Sequence, residues 1–471
     1  MAIAAIDQGT SSTRVLVGEA DGRLRVAYQI EHRQFYPHAG FVEHDGSELI
    51  ANVRRCLEAA GPVEAIGLAN QGESCLAWDR DTGEPISPVL VWQDSRTAEF
   101  LAALKRDGGE DLTLARARLP LDPYFSGSKL RWILDHVPAA RDRLRAGRLG
   151  LGTTDAFFLQ HLTGRYVTDA TTASRTSLMN LADGEWDPEL CRLFGVPIEA
   201  LPQIVSTVGD FGATQSAPVT ASAVDQQAAL WGHGCRRPGD AKVTFGTGAF
   251  ALAIAGERPP EARDGLLPTV AWQINGRRTY AVDAGVYSAG SAVDWLTRLG
   301  LYPDHALVFD KPPAIDRDLV FVPALAGLAC PHWDRTAVGL WLGLSLDTTR
   351  EDMAQALLEG IALATSEALA AMGVAASSQA PLSIDGGLTR NAYFVEFLAS
   401  SLARPVSVQT FAEMTAFGAL LLAATGVGRP SHRHGLETRV VAPRWPASGW
   451  RERFAEAIGR SRLWRRSGRN A

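Results

Sequence analysis

The chain has 471 residues, of which 46% are hydrophobic, so it is long enough for a large core and predicts two domains. Its 46 basic and 52 acidic residues give a net charge of −6, which argues against a general nucleic-acid or membrane-surface binder, since either needs a basic face. The five cysteines are far apart and form no CxxC pair, no apolar run reaches the roughly 20 residues of a membrane span, and no basic leader precedes the first apolar stretch. We therefore expect a cytoplasmic protein with no nucleic-acid partner and no membrane insertion.

The first 70 residues predict three antiparallel strands, a helix and a further strand. A Gly/Thr/Ser turn separates the first two strands, Asp21-Gly22 precedes the third, and Asp45 or Ser47 caps the helix. The predicted strands are 2–6, 13–17, 24–30 and 63–69.

A similar layout returns in the second half of the chain. The turns are Gly246-Thr247-Gly248 and Asn275-Gly276, the latter a strong hairpin signal. The predicted strands are 241–245, 250–254, 270–274, 279–282 and 319–322, and the predicted helices are 291–299 and 350–372. Two copies of one layout predict two related domains that face each other.

The region between the two copies, 195–222, is rich in Pro, Gly, Thr and Ser and is predicted to be a loop. We place the domain boundary near 231–239. The predicted division is 1–232, 233–445 and a basic C-terminal helix or tail at 446–471.

The paired turns point to a phosphate. Small residues expose backbone N–H groups and hydroxyls, which suit phosphate oxygens, although Gly and Ser also dominate ordinary hairpins. Asp7 ends an apolar strand just before the first turn, where a buried carboxylate requires a partner. Mg²⁺ beside nucleotide phosphates would be that partner. Because no GxxxxGK[ST] motif is present, this is not a P-loop.

Several stretches resemble known proteins. AIDQGTSSTRVLV and VTFGTGAFALA resemble the two phosphate hairpins of the sugar kinase, Hsp70 and actin superfamily. YFSGSKLRWILD, GLWLGLSLDTTREDMAQALLEG and DGGLTRN resemble motifs of the FGGY carbohydrate kinases. Within that family, GFVEHD, VWQDSRTAE, SRT and VDQQAAL are similar to the glycerol kinase group.

The resemblance implies an α/β fold of two ribonuclease-H-like domains, the actin-like ATPase fold, with an interdomain cleft. The N-terminal domain would bind a small polyol or sugar, and the C-terminal domain would bind ATP with Mg²⁺. The implied activity is phosphorylation of a terminal hydroxyl of glycerol or a related polyol, by a homodimer or homotetramer.

The resemblance also assigns roles to individual residues. Asp225 is the general base, although an Asp before a helix is more often a simple N-cap, and Arg14 lies near the transferred phosphoryl group. Asp7 and Asp225 hold the metal. The substrate residues are Gly72, Glu73, Trp92, Tyr124, Asp225, Gln226 and Phe250, with a plain core aromatic as a serious alternative for Trp92. The nucleotide residues are Thr10, Ser11, Ser12, Arg14, Gly246, Thr247, Gly248, Gly290, Asp294, Gly387 and Asn391.

The chain departs from the family pattern at three places. Glycerol kinases carry an arginine where this chain has Gly72, so we expect vacated volume and a longer substrate, such as a tetritol or ketopentose, as the alternative to glycerol. Asp294 replaces a nucleotide-contacting Gln of relatives. The loop 208–220 lacks the Gly-Gly-Thr-Arg stretch that binds a sugar bisphosphate in some relatives, so we predict no such regulation.

Two other classes of function remain open from the sequence. A nucleotide-gated binding protein of the actin or chaperone kind would keep the hairpins and turn over ATP without any polyol. A catalytically silent relative is disfavoured because Asp7, Asp225 and both phosphate turns are present.

Overall fold

The structure is a computed structural model that describes residues 2–263, 265–302, 309–374, 380–429 and 436–464. Part of the predicted basic tail, 465–471, lies outside the described residues. Among the described residues, none of the helices combines the length and the apolar character that crossing a membrane requires.

The first 232 residues contain eleven strands and nine helices among those described. The strands are β1 (Ile3–Gln8), β2 (Ser12–Gly18), β3 (Leu24–Glu31), β4 (Glu43–His44), β5 (Ala65–Asn70), β6 (Cys75–Asp79), β7 (Val89–Leu90), β8 (Leu149–Thr153), β9 (Val167–Asp169), β10 (Gln203–Val205) and β11 (Val219–Val224). The helices are α1 (Gly46–Ala60), α2 (Ala98–Arg106), α3 (Gly109–Arg116), α4 (Ser126–His136), α5 (Pro138–Arg145), α6 (Thr154–Thr163), α7 (Ala170–Ala173), α8 (Pro188–Phe194) and α9 (Asp225–Gly232).

The remaining described residues form nine strands and five α-helices. The strands are β12 (Ala241–Phe245), β13 (Ala249–Gly256), β14 (Leu267–Ile274), β15 (Arg277–Val286), β16 (Val320–Val322), β17 (Leu340–Leu342), β18 (Leu382–Gly386), β19 (Val406–Gln409) and β20 (Thr438–Val441). The helices are α10 (Gly290–Arg298), α11 (Arg350–Ala371), α12 (Ala392–Ser401), α13 (Met414–Gly426) and α14 (Trp450–Leu463).

The N-terminal half is built on a five-stranded sheet of order β11-β5-β1-β2-β3. Strands β1, β2 and β3 are antiparallel neighbours, while β5 and β11 run parallel to β1. Asp7 lies within β1 rather than after it, opposite Arg14 of β2. Helix α1 follows as predicted, because the Asp45 carboxylate accepts from the backbone N–H groups of Ser47 and Glu48 and so caps it.

The C-terminal half is built on a seven-stranded sheet of order β14-β15-β13-β12-β18-β19-β20. Strand β12 is antiparallel to β13 and parallel to β18, as β1 is antiparallel to β2 and parallel to β5. The predicted repetition of one layout is therefore confirmed. The predicted strand at 319–322 exists as β16, but it pairs only with β17 outside the large sheet, so the counterpart of β5 is β18.

Two helices join the halves. Helix α13, from the C-terminal half, packs on β1, β5 and β11 of the N-terminal sheet and crosses α9. The crossing brings backbones together, since a Cβ added to Gly418 would overlap the carbonyl oxygen of Ala228. Their shared core includes apolar residues from both sheets, which positions α9 and its first residue, Asp225, between them.

The prediction of a loop over 195–222 is wrong in part. The region contains a 3-10 turn at Ile198–Ala200, strand β10 and most of β11. Local Pro and Gly content did not reveal these strands because their pairing partners, β9 and β5, lie far away in sequence.

Candidate active site

The first predicted phosphate hairpin joins β1 to β2. The Gly9 N–H donates to the Ser12 carbonyl at 3.0 Å, which closes the turn. The Thr10 hydroxyl accepts from the Trp92 indole N–H at 3.0 Å, and the His32 Nε2 lies 2.9 Å from the Thr10 carbonyl. Ser11 is exposed, whereas Ser12 is buried. Ser11 is thus the exposed residue of the turn, whereas Gly9 and Thr10 are half-buried.

Asp7 and Arg14 lie side by side behind this hairpin. Asp7 is 8% exposed, and burial raises the pKa of its carboxyl to about 6 although the Arg14 guanidinium lowers it. The Arg14 Nε lies 3.7 Å from the Asp7 carboxylate, and its Nη2 donates to the Ser12 hydroxyl at 2.9 Å. Arg14 also pairs with Glu413, a partner that no sequence signal indicated.

The second phosphate hairpin joins β12 to β13 and supports the start of α10. Gly246 and Thr247 are exposed. The Gly290 N–H donates to the Gly246 carbonyl at 2.9 Å, and the Ser291 N–H donates to that of Thr247 at 3.0 Å. A Cβ on Gly290 would meet the Gly246 carbonyl oxygen at 2.5 Å. Glycine at 290 therefore serves the packing of helix on hairpin.

Three further predicted nucleotide residues lie in different surroundings. Gly387 is exposed, with nothing within 4 Å of an added Cβ, so its backbone is accessible to a ligand. Asn391 is buried, caps α12 through the Phe394 N–H at 2.9 Å and donates to the Tyr302 hydroxyl at 3.2 Å. Asp294 is exposed on α10. The nucleotide contacts of all three stay predictions.

Asp225 is the first residue of α9, and Val224 occupies the N-cap position. Its carboxylate accepts from the Gln226 N–H at 2.6 Å. Burial and the negative charges of Asp7 and Glu73 raise the pKa of Asp225 to about 7, although the Gln226 N–H and the Lys242 ammonium lower it. Such a carboxyl exchanges a proton readily near neutral pH, as a general base must.

The predicted substrate residue Gln226 has a protein partner. Its side-chain oxygen accepts from the ammonium of Lys242, which is fully buried and also donates to the Thr244 hydroxyl at 3.0 Å. Lys242 therefore ties the start of α9 to strand β12 of the other half.

The acceptor end of the cleft is a buried cluster of charges. Glu73 has a left-handed backbone conformation, φ 61°, a strain of order 1–3 kcal/mol that is typical of functional sites. Its carboxylate accepts from Arg175 Nε at 2.5 Å, while Arg175 Nη2 donates to Asp283 at 2.9 Å. The Tyr124 ring lies 5.5 Å from the guanidinium carbon, and burial and the Glu73 charge raise the pKa of its phenol.

An aromatic wall borders this cluster. The Trp92 ring contacts Tyr124 edge to face at 5.8 Å and Phe250 at 6.4 Å, so residues from both halves form the wall. All three line a cavity of about 570 Å³ that also reaches Asp283. Trp92 is half-buried and borders open space, as a substrate wall requires, and is not sealed in the core.

The expectation that Gly72 leaves free volume is wrong at the position that a Cβ atom would occupy. A Cβ at Gly72 would meet Val224 Cγ1 at 2.7 Å, so Val224 already fills that place. Position 72 lacks the positive charge of the family arginine, but the buried guanidinium of Arg175 contacts the next residue, Glu73.

The structure thus brings most predicted site residues to one cleft, between the two sheets. Sequence reasoning assigned no role to four residues that complete it: Arg175, Asp283, Lys242 and Glu413. Arg175 stands in the SRT stretch, which marked the resemblance but did not indicate a contact. Asp283 and Lys242 are charges inside apolar strands, and that pattern was the available signal.

Comparison with known proteins agrees with this architecture. Residues 2–232 match the N-terminal domain, and residues 241–427 the C-terminal domain, of the FGGY family of carbohydrate kinases. A glycerol kinase of Alkalilimnicola ehrlichii is 43% identical over 465 residues, which cover 94% of this chain and 93% of that protein.

Solved structures give the same result. Plasmodium falciparum glycerol kinase with ADP superimposes with a TM-score of 0.86 at 27% identity, covering 98% of each chain. Xylulose kinase from Rhodospirillum rubrum gives 0.84 at 25% identity, again over 98% of each. The fold is the two-domain actin-like ATPase fold, as expected. The chain belongs to the FGGY family of carbohydrate kinases.

Proposed function

We propose that this chain is an ATP-dependent kinase that transfers a phosphoryl group to a terminal hydroxyl of glycerol. The observation that carries the proposal is the position of Asp225. Its carboxyl, with a pKa of about 7, is electrostatically coupled to Asp7 behind the phosphate hairpin and to Glu73 in the acceptor cluster. Relatives at about 43% identity that carry the name glycerol kinase support the choice of acceptor.

The reaction divides between the two halves. Glu73 and Tyr124 orient the polyol, whose carbon chain lies against Trp92 and Phe250. The terminal hydroxyl gives its proton to Asp225, its oxygen forms the new bond to the γ-phosphorus, and the bond from that phosphorus to the β,γ-bridging oxygen breaks. The backbone N–H groups of the hairpin at Gly246 and Thr247 would hold the phosphates.

Asp7 and Asp225 fit a divalent cation. Asp7 is buried and Asp225 is half-buried, the Asp7 charge raises the pKa of Asp225, and the two pKa values are about 6 and 7. Among the described residues no group of three or more His, Cys, Asp or Glu is placed to hold a metal alone, so phosphate oxygens would complete the ligands. Mg²⁺ bound there would neutralise phosphate charge.

Polyol-dependent ADP release with Mg·ATP tests the proposal. A kinase releases ADP at a rate that rises with glycerol and stays low without it. ATP turnover indifferent to any polyol would instead support a nucleotide-gated binding protein. Turnover of a ketopentose or tetritol in place of glycerol would favour the alternative acceptor that Gly72 suggested in the sequence.

We propose a cytoplasmic location on the composition of the sequence, and a homodimer or homotetramer on the resemblance to the family. Light scattering coupled to size-exclusion chromatography measures the oligomeric state directly, and a monomer would contradict the proposed dimer or tetramer.

A further inference from the structure

The cavity beside the acceptor cluster is larger than glycerol requires. Its volume of about 570 Å³ falls in the range of roughly 300–1,000 Å³ that is typical of pockets for drug-sized ligands, whereas a three-carbon triol is far smaller. The cavity is bordered by elements of both halves, and its lining residue Asp283 pairs with Arg175 of the other half. The two halves that border the cavity are therefore linked to each other by an ion pair.

Three aspartates line this cavity, and one of them, Asp283, also belongs to the acceptor cluster. Asp283 belongs to β15, is 8% exposed and lines the cavity together with Trp92, Tyr124 and Phe250. Its Oδ2 accepts from Arg175 Nη2 at 2.9 Å, and the same guanidinium holds Glu73 at 2.5 Å. Arg175 thus fixes two carboxylates on either side of itself, one from each half of the chain.

Paired acceptors of this kind suit a substrate with several hydroxyls. An ionised carboxylate only accepts hydrogen bonds, and each hydroxyl of a polyol donates one. Glu73 is the predicted acceptor for the hydroxyls next to the reacting carbon. Asp283, bound to the same guanidinium as Glu73, offers a second acceptor and lines the large cavity.

Other residues that line the cavity also combine polar groups with aromatic rings. Tyr287, Trp333 and Arg335 line it, and the Arg335 guanidinium lies 4.0 Å from the centre of the Tyr287 ring. Polar groups and aromatic faces together are the usual surface for a hydroxylated carbon chain, which presents both hydroxyls and C–H groups.

We propose that Asp283 is a specificity-determining residue of an extended acceptor site, which accepts polyols of four or five carbons in addition to glycerol. The inference rests on the proposed polyol kinase function and names its substrate class more fully. Asp283 binds the hydroxyl that glycerol lacks, and Arg175 positions it for that contact.

The test compares kcat/KM for glycerol, erythritol, threitol and xylitol in the wild type and in Asp283→Asn. Asparagine keeps the shape and an oxygen for Arg175 but loses the charge. Because hydrogen bonds to charged groups contribute about twice as much as neutral ones, we expect kcat/KM for the best longer polyol to fall roughly tenfold more than that for glycerol. Asp283→Glu, which keeps the charge, should change that ratio less.

A second variant tests the cavity if Asp283→Asn folds poorly. Ala98 is exposed at the rim of the cavity, so Ala98→Trp narrows the space without disturbing the core. It should lower turnover of four- and five-carbon polyols more than that of glycerol.

The outcomes separate the two proposals. The extended site is overturned if the enzyme turns over glycerol but none of the four- and five-carbon polyols. It is also overturned if both variants lose kcat/KM equally for all polyols. Either result leaves the kinase function intact. Absence of turnover with every polyol contradicts the kinase function itself, and the extended site with it.

Discussion

At the level of single residues, the proposed mechanism depends on Asp225. It lies at the start of α9 between the two sheets, where burial and two neighbouring carboxylates hold its pKa near 7. Asp225→Asn keeps the shape but cannot take a proton. We expect the polyol-dependent rate of ADP release to fall about 10²- to 10⁴-fold, the usual contribution of general acid–base catalysis, with an unchanged circular dichroism spectrum.

The control for Asp225→Asn is Asp135→Asn, which removes one exposed carboxylate of the surface pair with Arg131. It should retain the wild-type rate. An Asp225→Asn enzyme within a few-fold of the wild type would contradict the assignment of the base.

The pH dependence of the reaction follows from the same residue. Asp225 acts as a base only when it is deprotonated, so kcat/KM should fall as the pH drops through about 7. The Lys242 ammonium lowers the pKa of Asp225, and Lys242→Met should therefore shift this acid limb to higher pH. A pH–rate profile of both enzymes measures the shift; an unmoved limb, or one displaced to lower pH, would refute the role of Lys242.

At the level of elements, the crossing of α9 and α13 places Asp225. The crossing is tight because Gly418 contacts the Ala228 backbone without a side chain between them. Gly418→Ala should force the helices apart and lower the free energy of unfolding by about 1–3 kcal/mol, despite the better helix propensity of alanine. The midpoint of urea-induced unfolding measures the change.

Gly459 in α14 is the matched control, since nothing lies within 4 Å of a Cβ added there. Gly459→Ala should stabilise the protein by about 0.5–1 kcal/mol, the ordinary gain within a helix. Equal stabilisation by both substitutions would mean that the α9–α13 contact is loose.

At the level of the whole molecule, Arg175 links the two halves through Glu73 and Asp283. Arg175→Met removes the cation and leaves two buried carboxyls without it, which typically costs about 3–5 kcal/mol. Loss of the cation also raises the pKa of the Asp283 carboxyl, which is already about 6. Protonation relieves the unpaired charge, so the destabilisation relative to wild type should be larger at pH 8 than at pH 5.

Thermal melts of both proteins at the two pH values test this bridge. A pH-independent difference in melting temperature would show that Arg175 contributes by packing and not by charge.

Much of this architecture could be predicted from sequence because its signals are local. The two phosphate turns, the Asn275-Gly276 hairpin and the Asp45 cap depend on neighbouring residues, and all are found where expected. The domain limits at 232 and 445, and the metal and nucleotide contacts, stay predictions.

The remainder depends on contacts between distant parts of the chain. The Arg175–Asp283 pair spans 108 positions and Arg14–Glu413 spans 399, so no local pattern could reveal them. The filling of the Gly72 site by Val224 arises in the same way, from strand β11 packing beside the turn after β5.

The identity of the phosphorylated product is the most direct test of the proposed phosphoryl transfer to glycerol. Wild-type protein incubated with Mg·ATP and glycerol would be followed by ³¹P nuclear magnetic resonance. We expect a new phosphomonoester on a terminal carbon of glycerol, formed in equal amount to ADP and absent with Asp225→Asn. Release of inorganic phosphate alone, at the same rate with and without glycerol, would contradict it.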